Sequence, residues 1–283
     1  MAQIINLKPN HPEAISVVKE LKWSIPNNNF PGKLAEETTN SLTFIKNGFK
    51  SSLVSYLSKT FNSDVFIDVG ANYGQTLMEI FINNPRVKYY GFEPNIEAFN
   101  ILKSINKSIN INSVIFPWAC SHQNQPLKIF KKSDLDSSAT LISEIRPDTY
   151  QTLKGEFIPS YTLSQTLGDE LLPNFIMKID VEGFENEVIS GGLNIINQKR
   201  PAIICEVLHA HRNSEIELNN RRKTELEKIL HKINYKIFKC IIDKKFLQIL
   251  TGLELINQFP KNVLWKENYF SCDYLFIPNE INI

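Results

Sequence analysis

The sequence predicts an α/β fold, in which a mainly parallel sheet is covered by helices on both faces. Short runs rich in β-branched and aromatic residues alternate with helical segments along most of the chain, as in βαβ units. The run at residues 65–69 is almost wholly apolar, which is typical of a strand buried on both sides. It leads into a turn framed by Gly70 and Gly74, which a helix is expected to follow.

The composition is that of a globular protein with a substantial core. The chain has 283 residues, of which 42% are hydrophobic and 22% charged, values that argue against disorder. The formal net charge is +1, and the basic residues are scattered. We therefore expect no nucleic-acid partner and no membrane partner. No apolar run approaches the ~20 residues that a membrane helix needs.

The four cysteines and the first residues bear on the compartment. Cys120, Cys205, Cys240 and Cys272 lack metal-ligand spacing, and three of them lie in apolar runs. We interpret them as reduced core residues. The start of the chain lacks a basic segment followed by an apolar one. A cytoplasmic location is expected.

The chain is predicted to divide at residue 60. Residues 1–60 are expected to form a helical appendage, a candidate cap over the substrate site, and residues 61–283 the main domain. Pro12 suits the first position of a helix, and apolar residues follow it at helical spacing. A second amphipathic segment covers residues 42–57.

The main domain alternates strands and helices. The predicted strands are residues 65–69, 88–93, 114–119, 175–180, 202–207, 235–241 and 274–277. The predicted helices are residues 74–82, 95–105, 184–197 and 215–232. Two further strands, 127–132 and 157–163, flank a loop at 133–155, which is expected to hang over the carboxyl edge of the sheet. Residues 243–273 give no clear pattern.

The glycine turn and the next strand together predict a nucleotide pocket. Gly70 and Gly74 lack a Cβ, so the turn can adopt positive φ and expose bare backbone to a ligand. Glu93 ends the second predicted strand, 23 residues after Gly70, where a carboxylate can accept hydrogen bonds from both ribose hydroxyls. The third glycine of a dinucleotide fingerprint is absent, which disfavours a nicotinamide-dependent oxidoreductase.

A second group of acids follows the fourth predicted strand. Asp180 and Glu182 leave the sheet at its carboxyl edge, where acids usually face a ligand. Glu185 falls in the first turn of a helix, where the helix dipole alone can explain it.

Glu206, His209 and His211 form another polar group, after the fifth strand. A histidine there can act as a base near neutral pH, or the group can be a polar strand end at the surface. A divalent metal bridging it to Asp180 is a further alternative, but no ligand set has convincing spacing, so no metal is predicted.

The chain resembles the FkbM family of S-adenosylmethionine-dependent methyltransferases over about half its length. The matching segments are Phe66-Ile-Asp-Val-Gly-Ala-Asn-Tyr-Gly74, Tyr90-Gly-Phe-Glu-Pro-Asn95, Ser137-Ser138, Tyr161-Thr-Leu-Ser-Gln-Thr-Leu167, Ile176-Met-Lys-Ile-Asp-Val-Glu-Gly-Phe-Glu185, Val188-Ile-Ser-Gly-Gly192 and Pro201-Ala-Ile-Ile-Cys-Glu206. The resemblance implies a Rossmann-like class I methyltransferase fold, with a seven-stranded sheet and an antiparallel last strand.

The resemblance also implies S-adenosyl-L-methionine as cofactor and methylation of a hydroxyl on a small acceptor, a sugar or secondary metabolite. The implied cofactor contacts are Asp68, Gly70, Ala71, Asn72, Gly74, Glu93, Pro94, Ala119 and Asp180. The family often has Ala-Leu-Ser-Asp where this chain has Ala119-Cys-Ser-His122, so the residue that meets the adenine is left open.

Methyl transfer needs an acceptor oxygen held in line with the methyl group, and a base for its proton. Asp180 is the first candidate base, Glu182 would hold the acceptor or raise the pKa of Asp180, and His209 is a further candidate. Ser138, Glu206 and His211 are expected to contact the substrate. The alternative from another class is a non-catalytic cofactor-binding module in a biosynthetic complex.

Overall fold

The computed structural model describes residues 49–109, 111–168, 174–242, 250–267 and 272–283. The helix predicted near Pro12 and the first part of the segment at 42–57 lie outside these residues. Within them, no helix combines the length and the apolar character needed to cross a membrane.

A central sheet of eight strands confirms the predicted α/β fold. Its strands are β1 (Val65–Val69), β2 (Lys88–Phe92), β3 (Ser113–Phe116), β8 (Ile176–Ile179), β9 (Ala202–Glu206), β10 (Tyr235–Ile242), β11 (Leu250–Ile256) and β12 (Asp273–Pro278). Four shorter strands, β4 (Ala119–Cys120), β5 (Leu127–Ile129), β6 (Glu156–Ile158) and β7 (Ser160–Tyr161), lie outside it. The spatial order in the sheet is β11-β10-β12-β9-β8-β1-β2-β3.

Five neighbouring strands, from β3 to β9, run parallel, and the last strand runs against them. β1 lies between β2 and β8, so the chain leaves β1 where the strand order reverses, a position that favours ligand binding. β12 is antiparallel to both β9 and β10, as the resemblance implies. The sheet has an eighth strand, β11, antiparallel to β10 at the edge, in the segment that the sequence left unassigned.

Helices cover both faces of the sheet. The sheet lies between two apolar cores, one on each face. They are α1 (Phe49–Thr60), α2 (Gln75–Asn83), α3 (Ile96–Ile109), α4 (Pro147–Tyr150), α5 (Leu163–Leu167), α6 (Glu185–Gly191), α7 (Leu193–Lys199) and α8 (Ile216–Lys232). The helix predicted at 184–197 is divided at Gly192. Leu53 and Leu57 of α1 are fully buried in the core that also holds α2. The division at residue 60 stays a prediction.

The predicted third strand stops early. Pro117 follows β3, and because proline lacks an N–H it cannot donate to the ladder. The chain then leaves the sheet: β4 pairs with β7, and β5 pairs with β6. The insertion loop (residues 133–155) lies between β5 and β6, as predicted, and contributes Asp136 to the cavity described next.

Candidate active site

A cavity of about 340 Å³ opens at the carboxyl ends of the central strands. The turn after β1 contributes Gly70, Ala71 and Asn72 to its wall. Glu93 and Pro94 enter from β2, Asp180 and Glu182 from β8, Glu206 from β9 and Ala119 from β4. The structure thus brings together most of the residues predicted to bind cofactor or substrate.

The turn after β1 needs its glycine. Gly70 has φ +81°, and a Cβ built there would overlap the carbonyl oxygen of Asp180. The turns after β1 and β8 therefore touch through bare backbone. Gly74 also has positive φ, +91°, and stands at the start of α2, but it does not line the cavity. Its contact with the cofactor stays a prediction.

Glu93 holds the turn as well as facing the cavity. Its Oε2 accepts a hydrogen bond from the backbone N–H of Asn72 at 2.8 Å, and its Oε1 accepts one from Asn95 N–H at 2.8 Å. Burial raises the pKa of Glu93 to about 7, although these two hydrogen bonds oppose the shift. Each oxygen keeps a second lone pair for a ligand hydroxyl.

Asp68 lies behind the cavity and does not line it, and its contact with the cofactor stays a prediction. The carboxylate is fully buried and accepts hydrogen bonds from Tyr89 Oη at 2.7 Å and Lys178 Nζ at 3.2 Å. Burial raises its pKa, while the charge of Lys178 opposes that effect. An acid in the middle of a buried run needs such partners, because an unpaired charge there is costly.

Lys178 connects Asp68 to the cavity. Its Nζ lies 3.2 Å from Asp180 Oδ2 and donates to the carbonyl oxygen of Gly70 at 3.2 Å. The sequence contained the signal: Lys178 and Asp180 are two residues apart at the end of a strand, and Asp68 stands opposite Lys178 in the register of β1 and β8. Asp68 therefore acts on the cavity through Lys178.

Three carboxylates that follow or end β8 and β9 converge in the cavity, beside the glycine turn. Asp180, Glu182 and Glu206 each place an oxygen within 4.8 Å of the other two. Glu182 has φ +54°, in the left-handed region. Its Oε2 accepts a hydrogen bond from Arg146 Nη2 at 2.6 Å. Burial raises the pKa of Glu182 and the charge of Arg146 opposes that rise.

Neither His209 nor His211 lines the cavity. His209 is buried, with Nδ1 at 3.0 Å from Lys223 Nζ of α8, because the chain turns toward α8 after β9. Nε2 of His211 accepts a hydrogen bond from Arg146 Nε at 3.1 Å. His211 is connected to the cavity through Arg146 and Glu182, and the roles predicted for His209 and His211 stay predictions.

Ser138 lies beside the cavity and makes internal hydrogen bonds, and its contact with the substrate stays a prediction. Its hydroxyl donates to Asp136 Oδ1 at 2.8 Å and lies 2.9 Å from Tyr150 Oη. Ser137, the preceding residue, lines the cavity instead. Asp136 lines it too, and its hydrogen bonds, led by that from the backbone N–H of Lys132, lower its pKa despite the opposing effect of burial.

Several solved structures are similar to this chain, each at low sequence identity. One is the FkbM methyltransferase of Methylobacillus flagellatus KT, with 12% identity, 93% of this chain and 59% of that chain covered, and a TM-score of 0.45. A second is a putative O-methyltransferase of Klebsiella pneumoniae, with 10% identity, 96% of this chain and 91% of that chain covered, and a TM-score of 0.45. A third is the O-methyltransferase of Bacillus cereus, crystallised in complex with SAH, with 11% identity, 95% of this chain and 92% of that chain covered, and a TM-score of 0.44.

This chain spans about three fifths of the length of the Methylobacillus protein. The sequence has no match among curated proteins. The family model that describes the methyltransferase FkbM domain matches residues 68–237, which include the glycine turn, Glu93 and the three convergent carboxylates. Since the match covers more than half of the chain, the protein belongs to the FkbM methyltransferase family.

Proposed function

We propose that this protein transfers a methyl group from S-adenosyl-L-methionine to a hydroxyl of a small acceptor, a sugar or a hydroxylated secondary metabolite. One observation carries the proposal: the glycine turn with Glu93, suited to a nucleoside, shares a cavity with the carboxylates of Asp180, Glu182 and Glu206. Membership of the FkbM family supports the same reaction.

The β1–β2 end of the cavity fits the cofactor. Glu93 would accept the ribose hydroxyls with its remaining lone pairs, and the exposed backbone of Gly70 to Asn72 would hold the methionine end. Trp118 also lines this cavity, and its buried indole N–H has no hydrogen-bond partner among the described residues. A buried donor of this kind suits a ligand acceptor atom, since an unmade hydrogen bond is costly.

The β8–β9 end would hold the acceptor hydroxyl. When bound, the cofactor supplies the methyl group from a sulfonium centre. Asp180 would accept a hydrogen bond from the hydroxyl and take its proton as the oxygen bonds to the methyl group. Lys178, 3.2 Å from Asp180, fixes that carboxylate in place. Glu182 would hold a second acceptor group by hydrogen bonds.

The charges of the cavity wall favour an acceptor without anionic groups. One cationic residue, Lys178, lines the cavity among the described residues. Six acids line it: Glu79, Glu93, Asp136, Asp180, Glu182 and Glu206. A phosphate or carboxylate on the acceptor would meet like charge, whereas the hydroxyls of a neutral sugar can donate to carboxylates. We therefore place neutral polyhydroxylated acceptors ahead of sugar phosphates and nucleotide-sugars.

Calorimetric titration tests the cofactor half of the proposal. Titration of the full chain with S-adenosylmethionine and with S-adenosylhomocysteine should show saturable binding of each. A panel of neutral sugars, sugar phosphates and nucleotide-sugars is then screened for release of S-adenosylhomocysteine. Release with a neutral sugar supports the proposal. Absence of binding at millimolar cofactor would end it.

Binding without release from any acceptor would favour the alternative, a non-catalytic cofactor-binding module. The convergence of three carboxylates beside the glycine turn weighs against this alternative, because cofactor binding alone does not require them.

A further inference from the structure

We propose that Arg146 is a positioning residue for methyl transfer, which holds the Glu182 carboxylate in the cavity and ties the insertion loop to the sheet. Its catalytic meaning rests on the proposed function. No sequence pattern indicates this role, because Arg146 and Glu182 are far apart in the chain and meet only in the fold.

The guanidinium of Arg146 makes three directed hydrogen bonds. Nη2 donates to Glu182 Oε2 at 2.6 Å, Nε donates to His211 Nε2 at 3.1 Å, and Nη1 donates to the carbonyl oxygen of Ser138 at 3.2 Å. The side chains of Arg146 and Glu182 are only 13% and 17% exposed. A planar fork makes these contacts at once, which a lysine ammonium on a flexible stem cannot reproduce.

The insertion loop also holds the backbone of Glu182. Thr140 Oγ1 donates to the carbonyl oxygen of Glu182 at 2.8 Å. Ile145 fills the space where a side chain on Gly183 would lie. The positive φ of Glu182 is unfavourable for a residue other than glycine, and persists only where the surroundings impose it. The loop therefore imposes both the backbone and the side-chain position of Glu182.

His211 gives Arg146 a fixed support on the other side. Its ring stacks on Trp265, with centroids 5.4 Å apart. Burial lowers the pKa of His211, and the charge of Arg146 lowers it further. The neutral ring can therefore accept the hydrogen bond from Nε, with its own proton on Nδ1.

The charges around Glu182 give the inference a measurable consequence. Burial raises the pKa of Glu182, the charge of Arg146 lowers it, and the charge of Asp180 raises it. Loss of the guanidinium should therefore raise this pKa further and delay ionisation of Glu182 to higher pH. The titratable and charged groups that face Glu182 are Arg146 and Asp136 from the insertion loop, Asp180 from the end of β8 and Glu206 from β9, with His211 behind Arg146.

The test compares Arg146→Gln and Arg146→Lys with a matched control, Arg212→Gln. Arg212 pairs with Asp148 of the same insertion loop but is 63% exposed and lies outside the cavity wall. Three quantities are measured: the titration of Glu182, followed by ¹³C NMR in glutamate-labelled protein and assigned with Glu182→Gln; the dissociation constant of S-adenosylmethionine; and the pH profile of kcat with the acceptor found by the screen.

In Arg146→Gln we expect the pKa of Glu182 to rise, because the guanidinium charge that opposes the effect of burial is lost. We expect kcat at pH 7 to fall about tenfold or more, with the acid limb of the profile moved to higher pH, while cofactor affinity stays within about twofold. Arg146→Lys should recover part of the titration and less of kcat. Arg212→Gln should match the wild type in all three quantities.

An unchanged Glu182 titration in folded Arg146→Gln would overturn the positioning role, and so would a shifted titration with unchanged kcat. If Arg146→Gln does not fold, Arg146→Lys provides the same decision through its kcat and titration. Failure to bind cofactor in the wild type would refute the proposed function, whereas the NMR titration would still decide whether Arg146 controls Glu182.

Discussion

Oε2 of Glu93 accepts a 2.8 Å hydrogen bond from the backbone N–H of Asn72, from the end of one strand to the turn that follows its neighbour. The same carboxylate faces the cavity. A single acid therefore shapes the glycine turn and offers its remaining lone pairs to a nucleoside. Because Glu93 has both roles, its substitution is the most direct test of the proposed cofactor site.

Replacement of Glu93 should weaken cofactor binding. Glu93→Gln removes the charge, and its amide can accept through only one oxygen, so we expect an increase of about tenfold in the Kd of S-adenosylmethionine. Burial raises the pKa of Glu93 to about 7, so wild-type affinity should also fall as the pH drops below 7, and that of the variant should not. Calorimetry from pH 6 to 8 measures both effects. Glu254→Gln, at an exposed position of β11, is the control. Equal affinities for Glu93→Gln and wild type would refute the assignment.

Replacement of Asp180 should lower turnover more than cofactor affinity. Asp180→Asn keeps the shape of the side chain but removes the proton acceptor, so we expect kcat to fall by about 10²-fold or more. The rate of S-adenosylhomocysteine release and calorimetric binding of the cofactor are compared in the same preparation. A variant with wild-type kcat would show that another group takes the proton.

Loss of Lys178 should destabilise the fold. The ammonium lies 3.2 Å from both Asp68 and Asp180, and Asp68 is fully buried. Lys178→Met leaves that charge without its cation, at a cost of about 3–5 kcal/mol in the free energy of unfolding. Urea denaturation at pH 7 measures the loss, with Lys232→Met at an exposed position of α8 as control. Adding Asp68→Asn to Lys178→Met should recover part of the stability, and no recovery would show that Asp68 is not the group left uncompensated.

Substitutions at two glycines allow the cost of backbone strain to be measured apart from the cost of steric overlap. Gly70 and Gly168 have φ +81° and +67°, but a Cβ would meet the carbonyl of Asp180 at Gly70 and nothing within 4 Å at Gly168. Gly168→Ala should lose about 1–3 kcal/mol of stability, because φ +67° with ψ 141° is a conformation nearly confined to glycine. Gly70→Ala should lose about 1–3 kcal/mol more, together with cofactor binding. Similar losses in the two variants would show that the turns after β1 and β8 can move apart freely.

Glu185 should make the protein less stable as the pH rises from about 4.5 to 7. Burial raises the pKa of this carboxyl from 4.5 to about 7, partly opposed by a hydrogen bond from Gly183 N–H. The folded chain therefore holds the proton over a range in which the unfolded chain releases it, and the stability difference reaches about 3 kcal/mol at most. Urea denaturation of wild type and Glu185→Gln across this range gives the difference. A difference in stability between wild type and Glu185→Gln that does not change with pH would contradict the raised pKa of Glu185.

The parallel half of the sheet was predictable because strands buried on both faces occur in the sequence as short, continuous apolar runs. The apolar run before Gly70 and the run before Glu93 became β1 and β2 with nearly the predicted limits. The third strand was predicted too long, since the pattern of apolar residues continues through Pro117 although its hydrogen bonding cannot. β11 was missed because its seven residues include Thr251, Gly252 and Glu254, and an edge strand exposed to solvent shows little alternation.

The site was predictable where strand ends define it and not where loops do. Glu93, Asp180, Glu182 and Glu206 all follow or end strands, and the topology alone brings them to one edge. Arg146 reaches that edge from the insertion loop, whose path over the cavity no local pattern determines. His209 lies outside the cavity because the backbone turns after β9. Its nearness in sequence to Glu206 therefore does not place the imidazole in the cavity.

Lys178 also links the two ends of the cavity. One ammonium group contacts the carbonyl of Gly70, in the turn beside the proposed donor, and the carboxylate of Asp180, beside the proposed acceptor. A molecule that strengthens one of these contacts changes the affinity for whatever occupies the other end, and thermodynamic reciprocity requires the effect to be equal in both directions. Donor and acceptor should thus bind cooperatively or in competition, and not independently.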